Sequence, residues 1–177
     1  MEIAAHICCG PCAVVFAGGL AAQNPEYKLR LLWHNPNIHP FTEYRARQQA
    51  AAAYAAAAGL AIIGADGGGY GLRPFLRAVH GADNRCEYCY HSRLEFTAKY
   101  AAAAGLGGFT TTLLASPYQN FDAICRIGGD LARQYGLVFV APDFRADYRK
   151  GLTEAAEMAL YRQKYCGCVF SEEERYS

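Results

Sequence analysis

Short apolar segments alternate with longer helical segments along this chain, and this alternation limits its possible folds more than any other feature. The helical segments are rich in alanine, the residue that most favours helices. The five predicted strands are Ile3–Cys8, Lys28–His34, Leu60–Gly64, Phe109–Ala115 and Val138–Ala141. Such alternation is typical of a parallel sheet with helices on both faces. We therefore expect a Rossmann-like α/β fold, in a single domain over residues 1–177.

Three predicted helices end in the same dipeptide, which marks where each helix stops. The pairs are Gly59-Leu60, Gly105-Leu106 and Gly136-Leu137. Glycine accepts the left-handed conformation after a helix, and the next leucine can pack back onto the last turn. A long helix is predicted from Pro40 to Ala58, and a glycine-rich loop, Asp66–Gly69, follows the third strand.

Composition and charge exclude several classes of protein. Apolar residues make up 53% of the chain and charged residues 19%, which argues against disorder and against a coiled coil. Seventeen lysines and arginines against sixteen acidic residues leave a net charge of +1, so any nucleic-acid contact must come from a local patch. The sequence has no secretory signal pattern and no apolar stretch of the roughly 20 residues that span a bilayer. We expect a cytoplasmic protein without a membrane segment.

Cysteines are the main chemical signal, because the chain has eight of them. A reducing compartment does not maintain structural disulfides, so this number indicates metal binding or redox chemistry. Three cysteines lie in the sequence Cys8-Cys9-Gly10-Pro11-Cys12, where the first strand meets the next helix. The positive end of a helix favours thiolates. The alternative is that these three are ordinary buried cysteines.

A C-x-x-C pair, Cys86 and Cys89, precedes the predicted helix Ser92–Ala104. Two such sulfurs can bind one ion or one cluster. Together with Cys8 and Cys9 they would complete a four-thiolate site. Zinc and an iron–sulfur cluster both remain open for that site, because both accept four thiolates.

A C-x-C pair, Cys166 and Cys168, lies near the end of the sequence. Such a pair can close a strained, reducible disulfide, and Lys164 beside it would favour the thiolate. The alternative is that both sulfurs are further metal ligands. Cys125, in the predicted helix Phe121–Tyr135, is expected to be a core thiol, and the role of Cys12 stays undecided.

Several sequence blocks follow one another in a fixed order along nearly the whole chain. They are Cys-Cys-Gly-Pro-Cys at 8–12, Asn-Pro-Asn-Ile-His-Pro at 35–40, Arg-Cys-Glu-Tyr-Cys-Tyr at 85–90, Phe-Thr-Thr-Thr-Leu at 109–113, Ala-Pro-Asp-Phe at 141–144 and Leu-Tyr-Arg-Gln-Lys-Tyr-Cys-Gly-Cys-Val-Phe-Ser at 160–171. In these blocks the chain resembles the cobalamin-independent epoxyqueuosine reductases of the QueH type. Gly10 departs from the alanine that is more common there.

The resemblance implies an oxidoreductase of tRNA processing that reduces epoxyqueuosine to queuosine at the wobble position of the anticodon. It implies a [4Fe–4S] cluster and an additional iron whose ligands the motifs do not identify. The motif positions that match the cluster ligands are Cys8, Cys9, Cys86 and Cys89. The resemblance further implies that Cys166 and Cys168 are a redox-active pair. The implied partners are tRNA with epoxyqueuosine in its anticodon loop and an electron donor of unknown identity.

A proton donor is also expected near the reacting oxygen. Cys8, Ser116 and Asp143 each follow a predicted strand, so the topology favours one shared crevice. Asp143, beside Pro142 and Phe144, is the candidate general acid, with a pKa raised by burial. A helix cap or a metal ligand are the alternatives for it. The histidines His6, His34 and His39 more often have structural hydrogen bonds.

Basic and aromatic side chains are candidate contacts to RNA. Arginine side chains suit phosphates, and tyrosine rings stack on unpaired bases. The candidates are Arg45, Arg47, Arg145, Arg149, Lys150, Tyr118 and Tyr148.

Two other functions remain as alternatives. In one, four cysteines hold zinc for structure, and the protein is colourless. In the other, Cys166 and Cys168 alone make the chain a thiol–disulfide oxidoreductase that needs no metal.

Overall fold

Five parallel strands form one central sheet in the computed structural model, which describes residues 1–64 and 69–177. The strands are β1 (Glu2–His6), β2 (Lys28–Leu32), β3 (Ile62–Ile63), β4 (Gly108–Thr111) and β5 (Val138–Phe139). Their order across the sheet is β3-β2-β1-β4-β5. The α/β class and the place of each strand are therefore confirmed. The strand order reverses between β1 and β4, and ligands of such sheets bind at that point, beyond the carboxyl ends of the strands.

Seven helices lie in residues 1–64 and 69–177. They are α1 (Gly10–Gln23), α2 (Phe41–Ala57), α3 (Leu72–Val79), α4 (Arg85–Ala103), α5 (Phe121–Tyr135), α6 (Tyr148–Glu157) and α7 (Val169–Tyr176). Right-handed crossovers put α1 and α2 on one face and α4 and α5 on the other, and each pair packs together. Within the described parts of the chain, no helix is both long and apolar enough to cross a bilayer.

The expected helix ends are confirmed. Gly59, Gly105 and Gly136 have φ angles of +65°, +66° and +66°. In each case the N–H of the following leucine donates to a carbonyl of the last turn, at 2.9 Å. The same bond closes α6, from Leu160 N to Ala155 O at 2.9 Å, but there Ala159 adopts the positive φ of +53°. That helix therefore ends in a left-handed conformation without a glycine.

Two local expectations are wrong. The predicted strand Phe109–Ala115 stops at Thr111, because the next four residues form a 3-10 turn in which the Leu113 N–H donates to the Thr111 hydroxyl. The C-x-x-C pair does not precede its helix but forms the first turn of α4, capped by the Asn84 side chain. The predicted loop Asp66–Gly69 falls almost entirely outside the described residues.

Candidate metal centre and pocket

Three thiols meet at the carboxyl end of β1. Cys8 follows the strand, Cys9 caps α1, and Cys12 lies in the first turn of that helix. Their Sγ atoms all lie within 4.8 Å of one another, and all three residues are buried. Cys8 Sγ and Cys9 Sγ are 3.7 Å apart. Two sulfurs bound to one tetrahedral ion at about 2.3 Å would be separated by about 3.8 Å, so the spacing of this trio suits a metal.

Hydrogen bonds make Cys8 the most acidic thiol of the trio. Bonds from the thiols of Cys12 and Cys9 lower the pKa of Cys8 well below its usual value, and burial opposes them. The Thr112 hydroxyl accepts from the Cys8 N–H at 3.0 Å and donates to Cys8 Sγ at 3.2 Å. The pKa of Cys12 is raised, because its thiol is bonded to the other two sulfurs and is buried. The trio therefore favours one thiolate shared by three sulfurs.

A buried histidine fixes the end of β1 to its two neighbouring strands. His6 Nδ1 lies 2.9 Å from Thr111 Oγ1, and His6 Nε2 lies 3.1 Å from Asn35 Oδ1. Asn35 in turn donates to the Ile7 carbonyl at 2.8 Å. Burial, together with the positive charge of Arg93, lowers the pKa of His6 to about 3. His6 therefore has a neutral, structural role, as expected for a lone histidine beside a strand.

A segment from late in the chain covers the thiols. We call residues 161–167 the strap. Gln163 Nε2 donates to Cys9 Sγ at 3.1 Å. Cys166, also in the strap, accepts a bond from Gln119 Nε2 to its Sγ at 3.4 Å and is otherwise exposed. The strap thus brings Cys166 to the same opening as the trio.

That opening is a pocket of about 510 Å³ that Cys8, Cys12 and Cys166 help to line. Among the described residues, its charged lining side chains are Arg47, Arg93, Lys164 and Arg175, with no aspartate or glutamate. Tyr118 is 79% exposed at the pocket, and its ring lies edge-on to that of Tyr148 with centroids 5.8 Å apart. A lining of positive charge and aromatic rings suits an anionic ligand that contains flat rings.

The C-x-x-C pair lies apart from the trio. Cys86 is exposed, and Cys89 is buried in a small apolar cluster with Phe75 and Cys168. Burial raises the pKa of Cys89 to about 11. Neither cysteine belongs to the group of sulfurs within 4.8 Å, where the structure places Cys12 instead. The four-thiolate set Cys8, Cys9, Cys86 and Cys89 therefore stays a prediction.

One arginine connects the two groups of cysteines. Arg93 lies four residues after Cys89 on α4 and lines the pocket together with Cys8. It is 4% exposed, and its Nε donates to Asn37 Oδ1 at 2.8 Å. No carboxylate in the described parts of the chain pairs with it. A buried cation without an ionic partner is unfavourable, so an anionic ligand beside Arg93 would be stabilised there.

The remaining cysteines are free thiols. Cys168 caps α7, and Ser171 Oγ accepts bonds from Gly167 N at 3.0 Å and from Cys168 Sγ at 3.6 Å. Cys125 is half-buried on α5, at the edge of the core.

The expected environment of Asp143 is wrong. This carboxylate is exposed and accepts bonds from Arg145 Nε at 2.9 Å and Arg145 Nη2 at 2.6 Å. These bonds lower the pKa of Asp143, whereas burial was expected to raise it. Asp143 and Pro117 line a separate depression, although Ser116 does line the pocket as the topology predicted.

Arg47, a candidate RNA contact, is buried and paired with Glu43, so its guanidinium does not face solvent. Sequence reasoning also missed Thr112, Gln119 and Gln163 as partners of the thiols. The blocks at 109–113 and 160–171 were the available signals for Thr112 and Gln163, whereas Gln119 lies outside every block.

Comparison with known proteins gives a consistent family. A family profile described as epoxyqueuosine reductase QueH matches residues 3–174. A protein of that name from Dehalococcoides mccartyi is 35% identical over 97% of this chain and 92% of its own length. Another from Thermotoga maritima is 34% identical over 96% of this chain and 90% of its own length. A solved structure described as a predicted subunit of tRNA methyltransferase from Methanocaldococcus jannaschii aligns with a TM-score of 0.49 at 12% identity, over 88% of this chain and 75% of its own, which is too slight to carry an argument.

Proposed function

This chain belongs to the epoxyqueuosine reductase QueH family and is an oxidoreductase, and from this we propose that it reduces epoxyqueuosine to queuosine at the wobble position of tRNA. The pocket is the observation that carries the proposal, because buried thiols, the exposed Cys166 and a positively charged lining meet there. Positive charge suits RNA phosphates, and Tyr118 suits a base that has left its stack.

The reaction requires a two-electron reductant. Conversion of an epoxide to an alkene breaks two C–O bonds, consumes two electrons and two protons, and releases water. We assign this supply to Cys166 and Cys168, since two thiols that close to one disulfide release two electrons and two protons. The structure supports the assignment in that both are free thiols and Cys166 lies exposed in the pocket.

A metal centre completes the proposal. Iron–sulfur centres are bound by thiolates. Two members of the buried trio, Cys8 and Cys9, lie close enough together to bind one such centre. We propose Cys8, Cys9, Cys86 and Cys89 as ligands of a [4Fe–4S] cluster, with one additional iron. When bound, the centre would supply single electrons and a cationic iron that stabilises negative charge on oxygen.

The protein's own side chains position this chemistry. Thr112 orients Cys8, Gln163 covers Cys9, and Arg93 provides a buried positive charge between the trio and Cys89. Asp143 is left out of the proposal. An exposed carboxylate paired with arginine holds no proton at neutral pH, and the dithiol already supplies both protons.

The test combines metal analysis with an assay. Protein purified without oxygen is analysed for iron, zinc, sulfide and visible absorbance, and is then assayed on tRNA that carries epoxyqueuosine. We expect about four irons and four sulfides per chain, or one iron more. Cys166→Ser and Cys168→Ser should keep the absorbance and lose turnover, whereas Cys125→Ser should keep both. One zinc and no sulfide after anaerobic reconstitution would overturn the proposal.

A structural zinc site is the second candidate, because the 3.7 Å between Cys8 Sγ and Cys9 Sγ also suits two ligands of one zinc ion. The same metal analysis separates the two functions, since a zinc protein is colourless and contains no sulfide.

A further inference from the structure

The strap contains neither helix nor strand, yet one buried arginine bonds to its main chain at two points. Arg47 Nη1 donates to the Cys166 carbonyl at 2.8 Å, and Arg47 Nη2 donates to the Tyr165 carbonyl at 2.9 Å. The guanidinium also lies 5.5 Å from the centre of the Tyr165 ring. The position of Cys166 therefore depends on a side chain of α2.

Arg47 is itself held in place. Its Nε donates to Glu43 Oε1 at 2.6 Å, one turn earlier on α2, and the two side chains are only 3% and 8% exposed. The second oxygen of Glu43 accepts a bond from the Tyr161 hydroxyl at 2.5 Å. A buried ion pair is favourable only when such additional bonds satisfy it. The pair therefore holds the strap at both ends, at Tyr161 and at Cys166.

The loop before α2 adds two more bonds. The Tyr165 hydroxyl donates to the His39 carbonyl at 2.6 Å, and His39 N donates to the Gly167 carbonyl at 2.7 Å. Gly167 has a φ of +138°, and a Cβ there would lie 3.1 Å from Arg47 Nη1. Glycine therefore lets the strap lie directly against the guanidinium.

These contacts hold the main chain of Cys166 and leave its sulfur open to the pocket. We propose that Arg47 is a positioning residue, which fixes the strap so that Cys166 Sγ faces the substrate. This inference rests on the proposed function only for the reaction in which Cys166 takes part. The contacts that hold the strap do not depend on it.

Arg47→Lys tests the proposal most directly. Lysine keeps the charge beside Glu43 but cannot bond to both carbonyls as a planar fork. Trypsin reports on the strap, because Arg162 and Lys164 lie within it, and the substitution neither adds nor removes a trypsin site. Loss of one charge-assisted hydrogen bond should raise cleavage at these two sites in the native protein by about tenfold.

Arg133→Lys is the control, because Arg133 pairs with Asp130 on the exposed side of α5. It should leave cleavage within the strap unchanged. Reductase assays give the second readout: in Arg47→Lys the kcat should fall by a larger factor than the KM for tRNA rises, because the released strap no longer places Cys166 Sγ at the substrate.

Unchanged strap cleavage in folded Arg47→Lys would overturn the proposal, and so would a released strap with unchanged kcat. Should Arg47→Lys fail to fold, Glu43→Gln replaces it. Glutamine lacks the charge, and its NH2 group replaces one of the two oxygens that accept from Arg47 and Tyr161. The same two cleavages should therefore rise, and no rise would overturn the proposal. If the unsubstituted protein lacks reductase activity, only the proposed function is refuted. The trypsin experiment still decides whether Arg47 holds Cys166 in place.

Discussion

At the scale of single residues, three sulfurs within 4.8 Å concentrate the affinity of the chain for soft metals at one point. Cys8 is the sulfur that loses its proton most readily, because Cys12 and Cys9 both hydrogen-bond to it. Cys12 is therefore part of the same electrostatic unit, although it is not in the ligand set that the sequence indicates.

This arrangement predicts that Cys12→Ala lowers the metal content of the purified protein, because alanine removes the hydrogen bond that most lowers the pKa of Cys8, a proposed ligand. Metal analysis of anaerobically reconstituted protein measures the effect. Cys125→Ser is the control, since that thiol lies on α5 away from the trio, and it should keep the metal. Full metal retention in Cys12→Ala would show that the hydrogen bond from Cys12 is not needed for Cys8 to bind the metal.

The sequence allowed the three clustered cysteines to be located but not the side chains that contact them. Spacing marks Cys8, Cys9 and Cys12 because they are adjacent in the chain. Thr112 and Gln163 contact two of these sulfurs from 104 and 154 residues away, so their sequence blocks mark them without showing that they meet the thiols. Asp143 illustrates the reverse error. A strand end suggested burial, but Arg145, two residues on, keeps the carboxylate ionised at the surface.

At the scale of elements, the ends of α2, α4, α5 and α6 share one backbone bond, and only α6 has a residue other than glycine in the left-handed conformation there. Ala159 takes the left-handed conformation after α6, where a Cβ is unfavourable by about 1–2 kcal/mol. The same backbone bond, Leu160 N to Ala155 O, closes this end, so only the residue type differs.

Ala159→Gly should therefore raise the free energy of unfolding by about 1 kcal/mol, because it relieves this strain at an exposed position. Urea denaturation measures the change. Gly105→Ala, at the end of α4, is the matched variant and should lower the free energy by a similar amount. A destabilised Ala159→Gly protein would show that the alanine side chain contributes contacts that outweigh the strain.

Helices and strands were predictable wherever a local rule decides the structure. The glycine–leucine ends follow from one residue's backbone freedom, and they are correct. The strand Phe109–Ala115 fails because its threonines favour strands by propensity, whereas the Thr111 and Thr112 hydroxyls bond to main-chain N–H groups and turn the chain. Tertiary bonds decided that segment, so its sequence alone was insufficient.

At the scale of the whole molecule, neutral histidines make stability depend on pH. Burial is the main cause that lowers the pKa of His6 to about 3, and of His34 and His39 to about 4. The usual value in an unfolded chain is about 6.5. Between about pH 6.5 and pH 4 the unfolded chain therefore binds protons that the native protein does not bind.

Stability should consequently be complete above about pH 6.5 and fall as the pH drops, by roughly 2 kcal/mol for His6 alone at pH 5. Urea denaturation at pH 7.5, 6 and 5 measures this slope. Replacement of the exposed His80 by glutamine is the control and should leave the slope unchanged. Equal stability at pH 7.5 and pH 5 would mean that these histidines gain protons without loss of the fold.

The contact between Gln163 and Cys9 also has a consequence for synthesis of the protein. The two residues are 154 positions apart in the chain. At 5–20 residues per second, a ribosome therefore synthesises the strap roughly 8 to 30 seconds after the cysteines that the strap covers. During that interval the nascent chain exposes the three sulfurs, including the acidic thiol of Cys8, to oxygen and to competing metals. Delivery of the proposed metal would therefore have to keep pace with translation, or else take place in the finished protein after the strap opens.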